Sequence, residues 1–243
     1  MKVDQVGQTK ALTPREASTP PRVLVGVVGP SGAAAIKALD GETLDVFSAD
    51  IDPPASGDSY TEVLYSLCER HRVDVLVPAL DCELLLLASA RVFFAQIGTK
   101  IVLPSEKTLR VCLDRRSLRR CCRGVVRVSD SALADTLPGA EYSLATLAGS
   151  DGKVTAVVPL APGDSGDAAT ADTIHDEGLE KIGRQIAVQI GLTSLVNIQV
   201  KEASDGQPVL LEVSPYFSGM TPPMLASGVS MLKLCVDGLI ADD

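Results

Sequence analysis

The sequence predicts a two-lobed α/β protein: a parallel-sheet lobe over residues 22–104, then an α+β lobe with an antiparallel sheet over residues 105–243. Three observations predict it. Short apolar runs alternate with helical patterns in the first half, the spacing of parallel strands joined by crossover helices. In the second half, Gly149-Ser150-Asp151-Gly152 and Ser204-Asp205-Gly206 each interrupt an apolar pair of stretches, as hairpin turns do. Apolar residues make up 46% of the 243 but aromatics only 3%, so the chain buries a core and that core is aliphatic.

Residues 1–21 are Thr/Pro/Lys-rich without periodicity and read as a mobile arm. Residues 23–28 form a continuous apolar run, hence a buried strand. A turn at 29–32 leads to a helix over 33–39, a second strand over 44–49 and an amphipathic helix over 59–72. A third strand over 73–77, a long apolar helix over 82–96 and a short fourth strand over 100–103 complete the first lobe. The second lobe opens with a helix starting at Ser105, after Pro104, and an arginine-bearing helix from 114 to about 122. After a Gly/Ser/Asp-containing stretch over 123–138, strands 141–147 and 153–158 form the first hairpin. A Gly/Asp/Ala loop over 161–173 precedes a helix over 177–190 that Gly191 ends. Strands 195–201 and 208–213 form the second hairpin, and helical segments near 223–227 and 230–240 close the chain.

Composition excludes several functions. A net charge of −9 disfavours binding to a nucleic-acid backbone, which depends on Lys and Arg neutralising phosphates. The one basic cluster is Arg115, Arg116, Arg119, Arg120 and Arg123. It fits a solvated helix face, a subunit partner or a phosphate equally well. No apolar run approaches the roughly 20 residues that span a bilayer, so no membrane role is expected. Six cysteines without a C-x-x-C pair fit reduced, buried thiols in a cytoplasmic protein. His71 and His175 stand alone, with no partner for a catalytic triad or a metal. Gly26, Gly29 and Gly32 follow the first strand, and Asp50 or Asp52 ends the second, as in a dinucleotide site. The spacing is G-x-x-G-x-x-G rather than G-x-G-x-x-G, so a tight turn is the better reading. Asp81 and Glu83 open a helix, where carboxylates cap the N-terminus. The functional alternative is recognition of a substrate ammonium at the carboxyl ends of the strands.

Five segments in order resemble the ATP-grasp superfamily, in the branch of the carbamoyl-phosphate synthase large chain and the pyrrolysine-pathway ligase. They are VLVGVVGPSGAAAIKAL, VDVLVPALDCELLLLA, IVLPSEKTLRVCLDRRSLRR, GAEYSLATLAGSDGKVTAVVP and VNIQVKEASDGQPVLLEVSPYFSGMTPPMLASGV. The resemblance covers most of residues 22–240 and implies a pre-ATP-grasp lobe followed by an ATP-grasp lobe. It implies ATP and Mg as cofactors, and a carboxylate–amine ligase acting through an acyl-phosphate. It places the metal ligands at Gln199, Glu212 and Ser214, ATP contacts at Arg115 and Glu141, and substrate contacts at Asp81 and Glu83. Positions two apart on a strand share a face, so 212 and 214 project together beside the strand of Gln199. Their oxygens are the hard ligands Mg takes, alongside phosphate oxygens.

The sequence departs from the family in three places. Ser214 stands where the family has Asn, and Tyr216 where it has Arg. Most of the lid lobe that carries a phosphate-binding Lys and a Gly-rich loop is missing, and RGVVRVSDSALADTLPGAEY resembles its remains. No Lys lies between Lys107 and Lys153, and about twenty residues separate Arg120 from Glu141, too few for a sheet lobe with its own core. Two functions are therefore carried forward: a weakened or inactive ligase acting on a small carboxylate or amine, and a non-catalytic homologue that binds a metabolite or a partner subunit, with a homo-oligomer also open. The truncated lid is either natural or a segment that only a longer parent protein has.

Overall fold

The computed structural model describes residues 20–26, 44–48, 57–129, 136–162, 172–215 and 231–241. In the first lobe, strands β1 (Arg22–Val25), β2 (Asp45–Ser48), β3 (Val75–Val77) and β4 (Lys100–Ile101) form a parallel sheet in the order β2-β1-β3-β4. Helix α1 (Gly57–His71) links β2 to β3, and α2 (Leu84–Gln96) links β3 to β4. The alternation of the strands decides what each face meets. Leu24, Leu76 and Ile101 pack with Leu64, Leu84, Leu87 and Phe94 of the two helices. Val23, Val25, Val75 and Val77 face the other way.

The second lobe begins with α3 (Glu106–Leu113) and α4 (Arg115–Cys122). Ser105 caps α3 by accepting from Thr108 N at 3.1 Å, and Asp114 caps α4 by accepting from Ser117 N at 2.9 Å. Six strands follow: β5 (Arg127–Val128), β6 (Glu141–Ala148), β7 (Val154–Ala161), β8 (Asp172–Thr173), β9 (Leu195–Glu202) and β10 (Pro208–Ser214). Helix α5 (Glu177–Ile190) runs between β8 and β9, and α6 (Met231–Ala241) closes the described chain. The sheet order is β5-β10-β9-β6-β7-β8.

Helices α3, α4 and α5 cover one face of this sheet, packing on Leu144, Val196, Ile198, Val200 and Leu210. Helix α5 buries Leu179, Gly183, Ile186, Ala187 and Ile190, a stripe of helical period. Asp176 caps its start by accepting from Leu179 N at 2.9 Å. Gly191 ends it at φ 66°, the left-handed conformation that other residues adopt at a cost. The opposite face carries Ala145, Leu147 and Leu195, and these share a core with Val23, Val25, Val75 and Val77 of the first lobe and with Met231, Leu232, Cys235 and Val236 of α6. Helix α6 therefore sits where the two lobes meet. Lys100 Nζ fastens it to the first lobe by donating to Leu239 O at 2.6 Å.

Two expectations change. The second sheet is mixed rather than antiparallel, because β5 arrives from α4 and pairs parallel with β10. The apolar helix starts as a single 3-10 turn at Asp81–Glu83 before α2 proper. The expected helix over 33–39, the segment near 223–227 and nearly all of the N-terminal arm lie outside the described residues, as do Gly29, Gly32, Asp50, Asp52 and Tyr216.

Candidate functional site

The register of three neighbouring strands assembles the predicted metal residues. On β10, Glu212 pairs with Gln199 of β9, and Ser214 pairs with Asn197. On the far side of β9, Gln199 pairs with Ser143 of β6, Asn197 with Ala145, and Lys201 with Glu141. Directly opposed residues of an antiparallel pair project to one side of the sheet, with Cβ atoms about 5 Å apart. Ala145 belongs to the core shared with the first lobe, so this is the face toward that lobe and α6. A shift in register between Leu210 and Glu212 sets this alignment. It lets Leu210 fill the helix-side core while Glu212 projects to the opposite side, exposed.

Gln199, Glu212 and Ser214 thus share one patch, contributed by two strands. Ser214 Oγ donates to Glu212 Oε1 at 3.0 Å, which fixes the carboxylate over the patch. Asn197 lies beside Ser214, 4% exposed, and its side-chain oxygen has no hydrogen-bond partner among the described residues. Among the described residues no group of three His, Cys, Asp or Glu gathers to hold a metal. Gln199, Glu212 and Ser214 instead offer one amide, one carboxylate and one hydroxyl, with the Asn197 amide buried beside them. That donor set fits a hard cation that brings phosphate oxygens with it, and is too weakly charged to hold one unaided.

Of the two predicted ATP contacts, only Glu141 shares the face of the patch. Glu141 opens β6 and is exposed, on the same face as Gln199. Arg115 lies in the first turn of α4, on the helix-covered side, and donates from Nη1 to Ser129 O at 3.2 Å. Ser129 N in turn donates to Leu210 O at 2.9 Å, so Arg115 anchors at the sheet edge two residues from Glu212. The rest of the arginine cluster divides: Arg119 reaches Val128 O at 3.3 Å, while Arg116, Arg120 and Arg123 are exposed.

The two predicted substrate residues separate. Asp81 is exposed at the carboxyl end of β3. Glu83 is fully buried. Its Oε1 accepts from Ala79 N at 2.5 Å and Leu80 N at 2.9 Å, and its Oε2 accepts from the Tyr60 hydroxyl. A Cβ on Gly26, at the end of β1, would stand 3.3 Å from the same carboxylate. Glu83 thereby ties α1 to the turn after β3, close beside the end of β1. Burial pushes its pKa up, against the opposing pull of the three hydrogen bonds; burial, and then the nearby Glu83 carboxylate, raises that of Tyr60.

Four of the six cysteines are buried thiols. Cys68, Cys112, Cys122 and Cys235 are buried and Cys82 is exposed. Burial pushes Cys68, Cys112 and Cys122 up to about 12 and Cys235 up to about 11. Of the histidines, His175 pairs with Glu180 at 2.7 Å, and the His71 ring sits tilted against Phe47 with centroids 5.6 Å apart. A cavity of about 360 Å³ lies between the β6–β7 turn, Ser194 and the end of α6, and no predicted site residue lines it. Among the described residues no helix is long and apolar enough to cross a membrane.

Sequence reasoning missed Asn197, Ser143 and Lys201. The strand period was the available signal: positions 197 and 201 lie two residues either side of Gln199. Ser143 is placed only by the register of β6.

A parallel-sheet lobe followed by a mixed-sheet lobe is the layout that the resemblance to the ATP-grasp superfamily implies. Residues 128–242 match the family model described as ATP-grasp in the biosynthetic pathway with Ter operon, and residues 38–102 match that of the PylC-like N-terminal domain. These two matches, in chain order, identify an ATP-grasp segment over residues 128–242 behind a PylC-like N-terminal segment over residues 38–102. No curated protein gives a significant match.

Among solved structures, pyruvate carboxylase of Rhizobium etli aligns at TM-score 0.66 and 12% identity, over 91% of this chain and 26% of that one. The chain thus spans about a quarter of that enzyme. D-alanine–D-alanine ligase from Bacillus anthracis, solved in complex with ATP, aligns at TM-score 0.61 and 12% identity, over 91% of this chain and 98% of that one. Biotin carboxylase from Campylobacter jejuni, in a β-γ-ATP complex, aligns at TM-score 0.63 and 10% identity, over 90% and 70%. At these identities the likeness is one of fold.

Proposed function

We propose that the chain binds Mg-ATP on the lobe-facing side of its second sheet and is a weakened relative of the carboxylate–amine ligases. The observation that carries the reading is the register of β9 on β10, which sets Gln199 directly beside Glu212 and brings Ser214 onto the same patch. Gln199, Glu212 and Ser214 hold the cation. Glu141, on the same face, meets the nucleotide sugar, and Arg115 meets phosphate from the sheet edge. Bound there, Mg would draw charge from the phosphate oxygens and ease transfer of the terminal phosphoryl group. In a ligase of this kind a substrate carboxylate takes that phosphoryl group, releasing ADP. An amine then attacks the acyl-phosphate, forming the amide and releasing phosphate. Asp81, exposed at the strand ends, is suited to orient the amine as its ammonium. Glu83 supports that turn from beneath.

Turnover is expected to be slow. Position 214 carries a neutral hydroxyl, Tyr216 stands where an Arg fork would steady the phosphoryl group, and no Lys lies between Lys107 and Lys153. These features support the second reading, a protein that keeps the nucleotide site for binding a metabolite or a partner subunit. Titration calorimetry with a non-hydrolysable ATP analogue tests the shared claim. Mg-dependent binding in the micromolar range, weakened at least roughly tenfold by Glu212→Ala, is expected. No binding at millimolar nucleotide sinks it. Amide or phosphate release from ATP with a carboxylate and amine panel then separates the ligase from the silent form.

A further inference from the structure

We infer that Asn197 is a positioning residue of the cation patch, the acceptor that receives the Ser214 hydroxyl when Glu212 takes up its ligand. The inference rests on the nucleotide reading above and assigns a role to a residue outside the predicted site. Its starting point is an imbalance. Asn197 is 96% buried by its 4% exposure, yet its side-chain oxygen has no hydrogen-bond partner among the described residues. An unmet acceptor in such a place is a standing cost to the fold. Its immediate neighbour across the strand pair is Ser214.

A hydroxyl has one proton and two lone pairs. In this structure the Ser214 proton is committed to Glu212 Oε1, at 3.0 Å. Once Ser214 and Glu212 both turn an oxygen to one cation, the hydroxyl proton must point away from that cation and leaves Oε1. To offer its own oxygen to the same cation, Ser214 needs an acceptor for its proton on the side away from Glu212. Directly opposed side chains on paired strands stand about 5 Å apart at Cβ, within one side-chain rotation of a hydrogen bond. Ala145, the other neighbour of Asn197, offers no competing group. Asn197 Oδ1 is thus the acceptor that the register provides. It need not be open to solvent, since it meets Ser214 and not the cation. The unmet acceptor of the free protein becomes a satisfied one in the bound protein.

The test is a double-mutant cycle on Mg-dependent affinity for a non-hydrolysable ATP analogue, measured by calorimetry on the full chain. Asn197→Leu, close in shape and without an acceptor, is expected to weaken binding roughly tenfold in the presence of Mg. In a Ser214→Ala background, where no hydroxyl proton needs a home, the same substitution is expected to change affinity less than about twofold. Asn197→Asp, which keeps an acceptor in place, is expected to retain affinity within about threefold. Asn197→Ala replaces the leucine variant if that fails to fold. Equal losses in both backgrounds, or no loss with Asn197→Leu, overturn the inference while the nucleotide reading stands. Absence of Mg-dependent binding by the unaltered chain overturns both.

Discussion

Removing the Glu83 carboxylate is expected to cost more stability than removing any exposed charge of the molecule, and the damage depends on what replaces it. Glu83 accepts from two backbone N–H groups and one phenol in a fully buried setting. Glu83→Ala leaves all three donors unmet. At roughly 1–3 kcal/mol for each, softened by relaxation, the loss is about 3–6 kcal/mol. For a domain of this size that lowers Tm by about 10–20 °C. Glu83→Gln behaves differently. Both backbone donors go to Oε1, which an amide retains, and Tyr60 meets Oε2, where the amide nitrogen can donate to the phenol oxygen instead. That variant is expected to lose only about 1 kcal/mol at neutral pH. The pH dependence has a defined sign. Burial raises the Glu83 pKa, so the folded state holds its proton at pH values where the unfolded chain has released it. Wild-type stability from this group is complete in acid and declines as pH rises through the folded-state pKa. The Tm difference between wild type and Glu83→Gln should therefore shift in favour of the glutamine variant from acid to neutral pH. Circular-dichroism melts across that range read both effects. A loss under about 1 kcal/mol for Glu83→Ala, or a glutamine variant as damaged as the alanine one, would refute the reasoning.

Two further predictions concern packing. Gly183→Ala places a Cβ 2.8 Å from Val157 Cγ1, a stiff branched side chain, in the seam between α5 and β7. The clash of about 1–3 kcal/mol exceeds the helix-propensity gain of about 1 kcal/mol, so Tm should fall; a rise shows that the seam has slack. A thiol reagent should label Cys82 quickly in the folded protein, while Cys68, Cys112, Cys122 and Cys235 should react only on denaturation. Rapid labelling of all six without denaturant contradicts the core assignment.

Much of this fold is legible in the sequence because local signals and tertiary demands agree. Helix 177–190 reads correctly to both ends, since Asp176, the apolar stripe and Gly191 all point one way. Both hairpins read correctly because Gly152 and Gly206 occupy the positive-φ positions their turns need. Strand β5 was not legible. Two residues with no alternation, Arg127 and Val128, become a strand only because β10 offers an open edge. The candidate site splits along the same line. Gln199, Glu212 and Ser214 carry a motif and a period, and their adjacency follows from hairpin pairing. Asn197 carries no motif of its own, and its unmet oxygen exists only after folding has buried it. The burial of Glu83 was likewise invisible, because Asp81 and Glu83 look alike in the sequence while the 3-10 turn sends one outward and the other under Gly26.

The central claim is that the β9–β10 patch holds a divalent cation together with nucleotide phosphates. Electron paramagnetic resonance of Mn²⁺, used in place of Mg²⁺, with a non-hydrolysable ATP analogue and the full chain tests it most directly. The account predicts a bound-Mn²⁺ signal that requires both nucleotide and protein and is lost on Glu212→Gln, with the fold intact by circular dichroism. A signal unchanged by Glu212→Gln, or none above that of the nucleotide complex alone, would contradict it.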